Sequence, residues 1–162
     1  MTIAKAAGLC LVFVSITAAG LYIAEGYRAQ CGRLRAFLRL ISHIRVNIAE
    51  YRMPLGEIYE AFGDGAPELD GFTELMRADG FETALDMTLA AYGLSDATGH
   101  ALREFASALG MSAAEEQVRR CEICESVLAE ALKNAENALP SRLRLCRTLS
   151  LAFAAAAVIL IL

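Results

Sequence analysis

The chain has 162 residues, of which 56% are hydrophobic, and a formal net charge of −4. A chain of this length suits one domain with a modest core. Its charges are segregated: residues 53–140 carry seventeen acidic and five basic side chains, whereas residues 25–52 and 141–147 have net charges of +4 and +3. The acidic middle argues against a nucleic-acid-binding protein, and the basic flanks suit anionic lipid head groups.

The first predicted element is an uncharged stretch of nineteen residues, Ala6 to Ala24. As a helix it would be about 28 Å long, close to the roughly 30 Å of a bilayer's hydrocarbon layer. Six arginines and two glutamates follow between Glu25 and Arg52. Because positively charged flanks stay in the cytoplasm, we expect a transmembrane helix over residues 6–24, with residues 1–5 outside the cytoplasm.

The alternative for this stretch is a cleaved secretory signal. Lys5 would then form a short basic n-region, and Thr17 to Ala19 would supply small residues for a cleavage site. The arginines directly downstream oppose export of such a segment. The sequence favours the uncleaved anchor. A measurement of the intact mass of the protein would show whether the segment is cleaved.

A second uncharged segment, Thr148 to Leu162, lies at the other end of the sequence. Its fifteen residues would form a helix of about 22 Å, which is short for a full span. Three arginines precede it, at positions 142, 144 and 147. We therefore expect a membrane segment over residues 148–162 and a cytoplasmic domain over residues 25–147, with both termini outside the cytoplasm.

Between these segments the apolar residues recur every three or four positions, which indicates helices, and no useful β-alternation is found. Ser95 is a predicted N-cap, Ser112 and Glu115 form a predicted capping box, and Pro140 is expected to interrupt a helix. The fold class predicted is all-α: a small bundle of about six helices between the two membrane segments. The first predicted helix reaches Tyr51 and has Leu34, Leu38, Ile41, Ile44 or Arg45, and Ile48 on its apolar face. The others are Pro54–Phe62, a short helix ending at Asp79 with Leu69, Phe72, Leu75 and Met76 on its apolar face, Phe81–Tyr92, one after Ser95, one after Ser112, and one from Ser141.

Small residues at a spacing of four recur in both membrane segments. The pairs are Ser15 with Ala19, Gly20 with Ala24, and Ala152 with Ala156. Such pairs allow helix backbones to approach closely in lipid. We expect the two segments to pack against each other through these positions.

The five cysteines, Cys10, Cys31, Cys121, Cys124 and Cys146, form no disulfide framework. Cys121 and Cys124 form a CxxC motif, but it lies inside a predicted helix beside two glutamates, which would raise thiol pKa values. It also coincides with the apolar stripe, so we expect small core residues there. With the two histidines, His43 and His100, standing alone and no phosphate-binding loop, the sequence predicts no metal, no cofactor and no catalytic residues.

Several features in a fixed order resemble one known family. The first part has an apolar segment, then Gly26–Arg28, an Arg-Leu helix, Ile48–Tyr51 and Pro54–Ile58; the second has Leu109–Gly110 with Ser112 and Gln117, a long helix and an apolar tail. Over essentially the whole chain this resembles the stage III sporulation protein AB family of endospore-forming Firmicutes. That family usually has glycines in its final segment, where this chain has Ser150 and an alanine run, so glycine-mediated packing of that segment is not implied.

The resemblance implies a non-catalytic helical-bundle protein of the mother-cell membrane around the forespore. It would be a platform or scaffold subunit of a channel or feeding-tube complex, together with other membrane components and membrane lipids. Its helical domain would be similar to the inner-membrane platform proteins of type II secretion and type IV pili, and its expected partner is a cytosolic secretion-type ATPase. The surface offered to this partner is either the acidic middle or the basic region next to the membrane. Because secretion ATPases work close to the bilayer, the expected docking site includes Arg35, Arg39 and Glu57.

Two alternative functions stay open, and the sequence leaves the oligomeric state open as well. The first is a general type II secretion or type IV pilus platform-like subunit, although such proteins usually carry two bundle domains. The second, from another class, is a membrane-bound thiol redox protein that uses Cys121 and Cys124.

Overall fold

The computed structural model describes residues 3–63, 66–69 and 71–161, and over these residues the chain is helical without a strand. The predicted all-α class is confirmed. In chain order the elements are α1 (Ile3–Val46), a π-helical turn (Asn47–Tyr51), α2 (Leu55–Phe62), a 3-10 turn (Pro67–Leu69), α3 (Phe72–Asp79), α4 (Phe81–Tyr92), α5 (Asp96–Ala108) and α6 (Ala114–Ile161).

The chain divides into two units. The terminal unit consists of Met1–Ala29 and Glu136–Leu162, and the central unit of Gln30–Ala135. Each of the two long helices, α1 with 44 residues and α6 with 48, contributes to both units.

The core of the central unit is built on α1. The predicted apolar face is largely confirmed, since Leu34, Ile41, Ile44 and Ile48 are buried and Leu38 is partly buried. The sequence analysis missed three further positions of this helix, Ala36, Phe37 and Leu40, which are completely buried. A helix buried at so many positions per turn presents a wide apolar arc to its neighbours rather than a single stripe.

Five aromatic rings link α1 to three other helices of the central unit. Phe37 packs edge-on against Phe72, with ring centroids 5.3 Å apart, and against Tyr92, at 5.9 Å. Phe72 in turn packs edge-on against Phe81, and Phe81 against Phe105, at 5.3 and 5.4 Å. Edge-to-face pairs place the positive edge of one ring on the negative face of the next, so they stabilise the core beyond the burial of area.

The end of α1 is set by local backbone geometry. The helix continues into the π-helical turn, and Arg52 then takes a left-handed conformation, with φ at 50°. Pro54, at −65°, follows as the N-cap of α2. Because the residue before a proline avoids the helical region, the chain has to leave α1 here. The predicted helix ends at Tyr51 and Phe62 are confirmed.

Two of the three capping and breaking signals that we assigned do not act as predicted. Ser95 does cap α5, since its Oγ accepts a hydrogen bond from the Thr98 N–H at 3.3 Å. The predicted capping box is wrong, because α6 begins at Ala114 and the Oγ of Ser112 is buried without a hydrogen-bond partner among the described residues. The predicted break at Pro140 is also wrong, because Pro140 lies inside α6.

In the terminal unit, α1 and α6 run antiparallel and touch closely. A Cβ atom built on Gly20 would lie 2.9 Å from Ser150 Cβ, and the guanidinium of Arg142 lies 4.9 Å from the centroid of the Tyr27 ring. From Gly20 to Tyr27, seven residues forward along α1, the contact on α6 moves eight residues back, from Ser150 to Arg142. The close approach at Gly20 agrees with the prediction for this residue, and its neighbour on α6 is Ser150, which lies outside the predicted pair Ala152 and Ala156.

Over the residues that the structure describes, none of the helices combines the length and the apolarity that crossing a bilayer requires. Of the segments for which we predicted a place at the membrane, residues 1, 2 and 162 lie outside the described residues.

Candidate partner-binding surfaces

The two arginines of the expected docking site lie on one exposed face of α1. Arg35 and Arg39 are four residues apart, which places them on neighbouring turns of the same face. Arg39 Nη2 donates a hydrogen bond to Glu68 Oε2 at 2.8 Å. The side chains of this pair are 49% and 38% exposed, so the interaction is accessible to water and to a partner.

The third residue of the expected site, Glu57, lies in the first turn of α2 and is exposed. A carboxylate at this position stabilises the helix through its favourable interaction with the helix dipole. Arg39 pairs with the carboxylate of Glu68, a residue that the sequence analysis did not single out. The surface around Arg39 is therefore less positive than the sequence of α1 indicates.

An ion pair that the sequence analysis missed joins α1 to α6. Arg45 Nε donates to both carboxylate oxygens of Glu125, at 3.0 and 3.2 Å. The hydrogen bond and the negative charge of Glu125 raise the pKa of Arg45. The pair is mostly shielded from water, so we assign it to the stability of the central unit.

The CxxC motif lies in the core, as expected. Cys121 and Cys124 are free thiols with 0% and 2% of their surface exposed. Burial, with a further contribution from the charge of Glu125, raises the pKa of each thiol to about 12. Because the thiolate is the nucleophile in redox and transfer reactions, thiols that stay protonated at neutral pH give a redox function little chemical support.

Within the described ranges, no three side chains of the types His, Cys, Asp or Glu come close enough to hold a metal ion. His43 packs against Phe62, with ring centroids 5.3 Å apart, and its carbonyl accepts a hydrogen bond from Asn47 Nδ2 at 2.8 Å. His100 is exposed and lies 3.9 Å from Glu104. These contacts place His43 in the packing of α1 and His100 on the surface of α5.

A groove of about 460 Å³ lies between α5 and α6. Ala101, Phe105 and Cys124 contribute to its apolar lining, and Ile123 is 56% exposed beside them. The small side chain of Ala101 fills little of this space. The sequence offered one signal for this groove, Ile123 and Val127 one turn apart beside the charged residues Glu116, Arg119 and Arg120.

Comparison with known proteins gives one match. A family model described as stage III sporulation protein AB matches residues 5–162. No curated protein and no solved structure matches the chain significantly.

Proposed function

The chain belongs to the stage III sporulation protein AB family, and we propose that it is a non-catalytic membrane scaffold of a sporulation channel that docks a cytosolic secretion-type ATPase. Its place in sporulation follows from the family. The membrane location, the scaffold role and the ATPase partner are our proposals. The observation that carries them is the antiparallel helix pair of the terminal unit, which is apolar towards one end and cationic towards the other.

The terminal unit has the charge distribution of two antiparallel membrane helices. The uncharged part of α1 ends at Ala24, and that of α6 begins at Thr148. Because the two helices are antiparallel, these two residues lie on the same side of the pair. The arginines at 142, 144 and 147 lie just before the uncharged part of α6, where the positive-inside rule expects cytoplasmic residues. Large apolar side chains are exposed in this unit: Val14, Leu21, Tyr22, Ile23, Leu145, Leu149 and Leu151. Hydrocarbon would remove these side chains from water at a gain of about 25 cal/mol per Å².

The scaffold role rests on the chemistry of the central unit. Its two CxxC thiols are buried and protonated at neutral pH, and they are packed into the same core as the aromatic rings. The exposed charged side chains on α1 and α2 are the kind of surface that binds a protein partner. Among them, Arg35 lies eleven residues after the end of the apolar segment at Ala24. We therefore propose Arg35, Arg39 and Glu57 as part of the ATPase-docking surface.

The close packing of α1 and α6 in the terminal unit can be tested with a pair of glycine variants. Gly20→Leu places a side chain against Ser150, whereas a Cβ atom on Gly26 would meet nothing within 4 Å. In a variant with Ala24→Cys, oxidation should join the introduced thiol to that of Cys146, because both positions line the same cavity. Adding Gly20→Leu should reduce this cross-link and adding Gly26→Leu should not. Equal cross-linking in both variants would contradict the close helix pair.

The membrane topology can be tested with one exposed position of the central unit. Met111 is 85% exposed, so Met111→Cys provides an accessible thiol. An impermeant maleimide should label it only after the cells are permeabilised, and alkaline carbonate should leave the protein in the membrane pellet. Labelling in intact cells would place the central unit on the other side of the membrane and refute the proposed orientation.

The ATPase-docking surface can be tested by a charge swap. Arg35→Glu combined with Arg39→Glu should abolish co-purification of the ATPase, while Arg119→Glu, the same change on the exposed face of α6, should not. Adding Glu68→Arg to the double variant restores an ion pair at position 39 with reversed polarity. Continued loss of binding with unchanged circular dichroism would assign the effect to docking. Binding that survives the double reversal would move the site to the acidic middle, residues 53–140.

A further inference from the structure

A cavity of about 270 Å³ lies between α1 and α6 within the terminal unit. On α1 it is lined by Gly20, Leu21 and Ala24, and the two small residues leave the space that larger side chains would fill. On α6 the lining includes Leu143, Arg147 and Leu151. The cavity thus combines leucine side chains with one guanidinium group.

The guanidinium of Arg147 has no hydrogen bond or ion pair with any residue that the structure describes. Nearby on α6, Arg142 stacks on the Tyr27 ring, a contact that leaves its positive charge uncompensated. Residues 141–147 carry a net charge of +3. The carboxylate of Glu25 is paired with Arg28, at 3.3 Å. The polar side of the cavity therefore has positive charge to offer to a ligand.

We propose that this cavity binds a single anionic phospholipid, an inference that rests on the proposed membrane location. The phosphate would lie at Arg147, and one acyl chain would lie along Leu21 and Leu151, on the side of the uncharged part of both helices. Each part of the lining argues for this occupant. A small inorganic anion would leave the leucines in contact with water, and a lipid without net charge would leave the positive charge uncompensated. Basic pockets between helices at the cytoplasmic side of membrane segments are suited to anionic head groups.

Lipid binding to the full-length protein in a neutral detergent provides the test. A fluorescent phosphatidylglycerol is titrated and followed by anisotropy, with phosphatidylcholine and inorganic phosphate as competitors. The wild type should prefer phosphatidylglycerol to phosphatidylcholine by about fivefold or more, the effect of one basic residue near an anionic head group. Inorganic phosphate at the same concentration should not compete.

Four variants separate this site from general charge attraction. Arg147→Gln should remove the preference, Arg147→Lys should keep most of it, and Ala24→Leu should weaken binding by filling the cavity without a change in charge. Arg28→Gln is the matched control, since it removes the same charge from the same unit at a residue that does not line the cavity. It should leave the preference intact.

The outcomes distinguish failure of the site from failure of the membrane proposal. Equal losses for Arg147→Gln and Arg28→Gln would overturn the site, because the preference would then come from net charge alone. Competition by inorganic phosphate would overturn the lipid assignment in favour of a simple anion site. If the wild type associated with no lipid of either kind and was released from membranes by carbonate, both the lipid site and the proposed membrane location would fall.

Discussion

The ion pair between Arg45 and Glu125 should stabilise the central unit more than the pair between Arg39 and Glu68. Both pairs join α1 to a segment far along the chain, so the second serves as a matched comparison. Arg45 donates to both oxygens of its partner, whereas Arg39 donates to one. The side chains of the first pair are 31% and 20% exposed, against 49% and 38% for the second.

The expected magnitudes follow from these exposures. Exposed ion pairs contribute about 0.2–1 kcal/mol, and removing one partner of a fully buried pair costs about 3–5 kcal/mol. The pair at Glu125 lies between these limits, so Glu125→Gln should lower the free energy of unfolding by about 1.5 kcal/mol. Glu68→Gln should lower it by less than about 0.5 kcal/mol. With a urea m-value of about 1.5 kcal/mol per M, the first change shifts the unfolding midpoint by about 1 M.

Double-mutant cycles measure the two pairwise interactions directly. Urea unfolding of the full chain in detergent is followed by circular dichroism, with Arg45→Met and Glu125→Gln singly and together, and with Arg39→Met and Glu68→Gln likewise. We expect a coupling energy of about 1 kcal/mol for the first pair and below about 0.4 kcal/mol for the second. Equal coupling energies would refute the reasoning, since burial and the second hydrogen bond would then have no effect.

Two other predictions concern polar side chains of the central unit. Because burial raises the pKa of Cys121 and Cys124 to about 12 from an ordinary value of 9.0, the unfolded chain loses these protons first as the pH rises. The free energy of unfolding should therefore fall above about pH 9, by up to about 1.4 kcal/mol per pH unit for each thiol. Urea unfolding at pH 8 and pH 10 should show a smaller fall for the double Cys→Ala variant. Ser95→Ala should cost about 1 kcal/mol through the lost cap, whereas Ser112→Ala should be neutral or slightly stabilising in the same assay, because the Ser112 hydroxyl has no partner to lose among the described residues.

The sequence predicted the fold class well because helix formation in this chain follows short-range apolar periodicity. What it underpredicted was the width of the buried face of α1. A stripe of one apolar residue per turn describes a helix with a single neighbour, so Phe37 and Leu40 fell outside it. Both are completely buried, and Phe37 contacts rings from two other helices. That environment depends on residues 35 and 55 positions further along the chain, which local periodicity does not contain.

The wrong predictions at Ser112 and Pro140 have different physical origins. At Ser112 one local contact replaces another, whereas at Pro140 tertiary contacts outweigh a local signal. The side chain of Gln117 donates to the carbonyl of Ser112 at 2.7 Å, a contact the capping box did not include, and α6 starts two residues after that serine. Pro140 costs about 3 kcal/mol inside a helix. Contacts on both sides of it hold α6 in place, from Cys124 in the core to Arg142 on Tyr27.

The candidate surfaces were predictable only in part. Arg35, Arg39 and Glu57 were expected to be exposed, and they are. That Glu68 neutralises one of the arginines could not be inferred, because the two residues are 29 positions apart in a segment without periodicity. The same limit applies to the cavity at Arg147, where the arginine was visible as part of a basic segment but the space beside it depends on two helices from opposite ends of the sequence.

The carboxylate of Glu125 adds to the effect of burial on the pKa of the CxxC thiols, and it also stabilises the α1–α6 contact. Arg45 lies near enough to Cys121 to favour its thiolate, but the charge of Glu125 opposes that effect and is the larger of the two. Glu125→Gln removes the opposing charge and leaves Arg45 facing the thiol. The pKa of Cys121 should therefore fall in this variant. The pKa of Cys124 should fall less, because Arg45 acts on Cys121. Labelling of the two thiols at a series of pH values, resolved by mass spectrometry, would measure both. An equal change at the two cysteines would mean that loosening of the core, rather than the charge of Arg45, governs their reactivity.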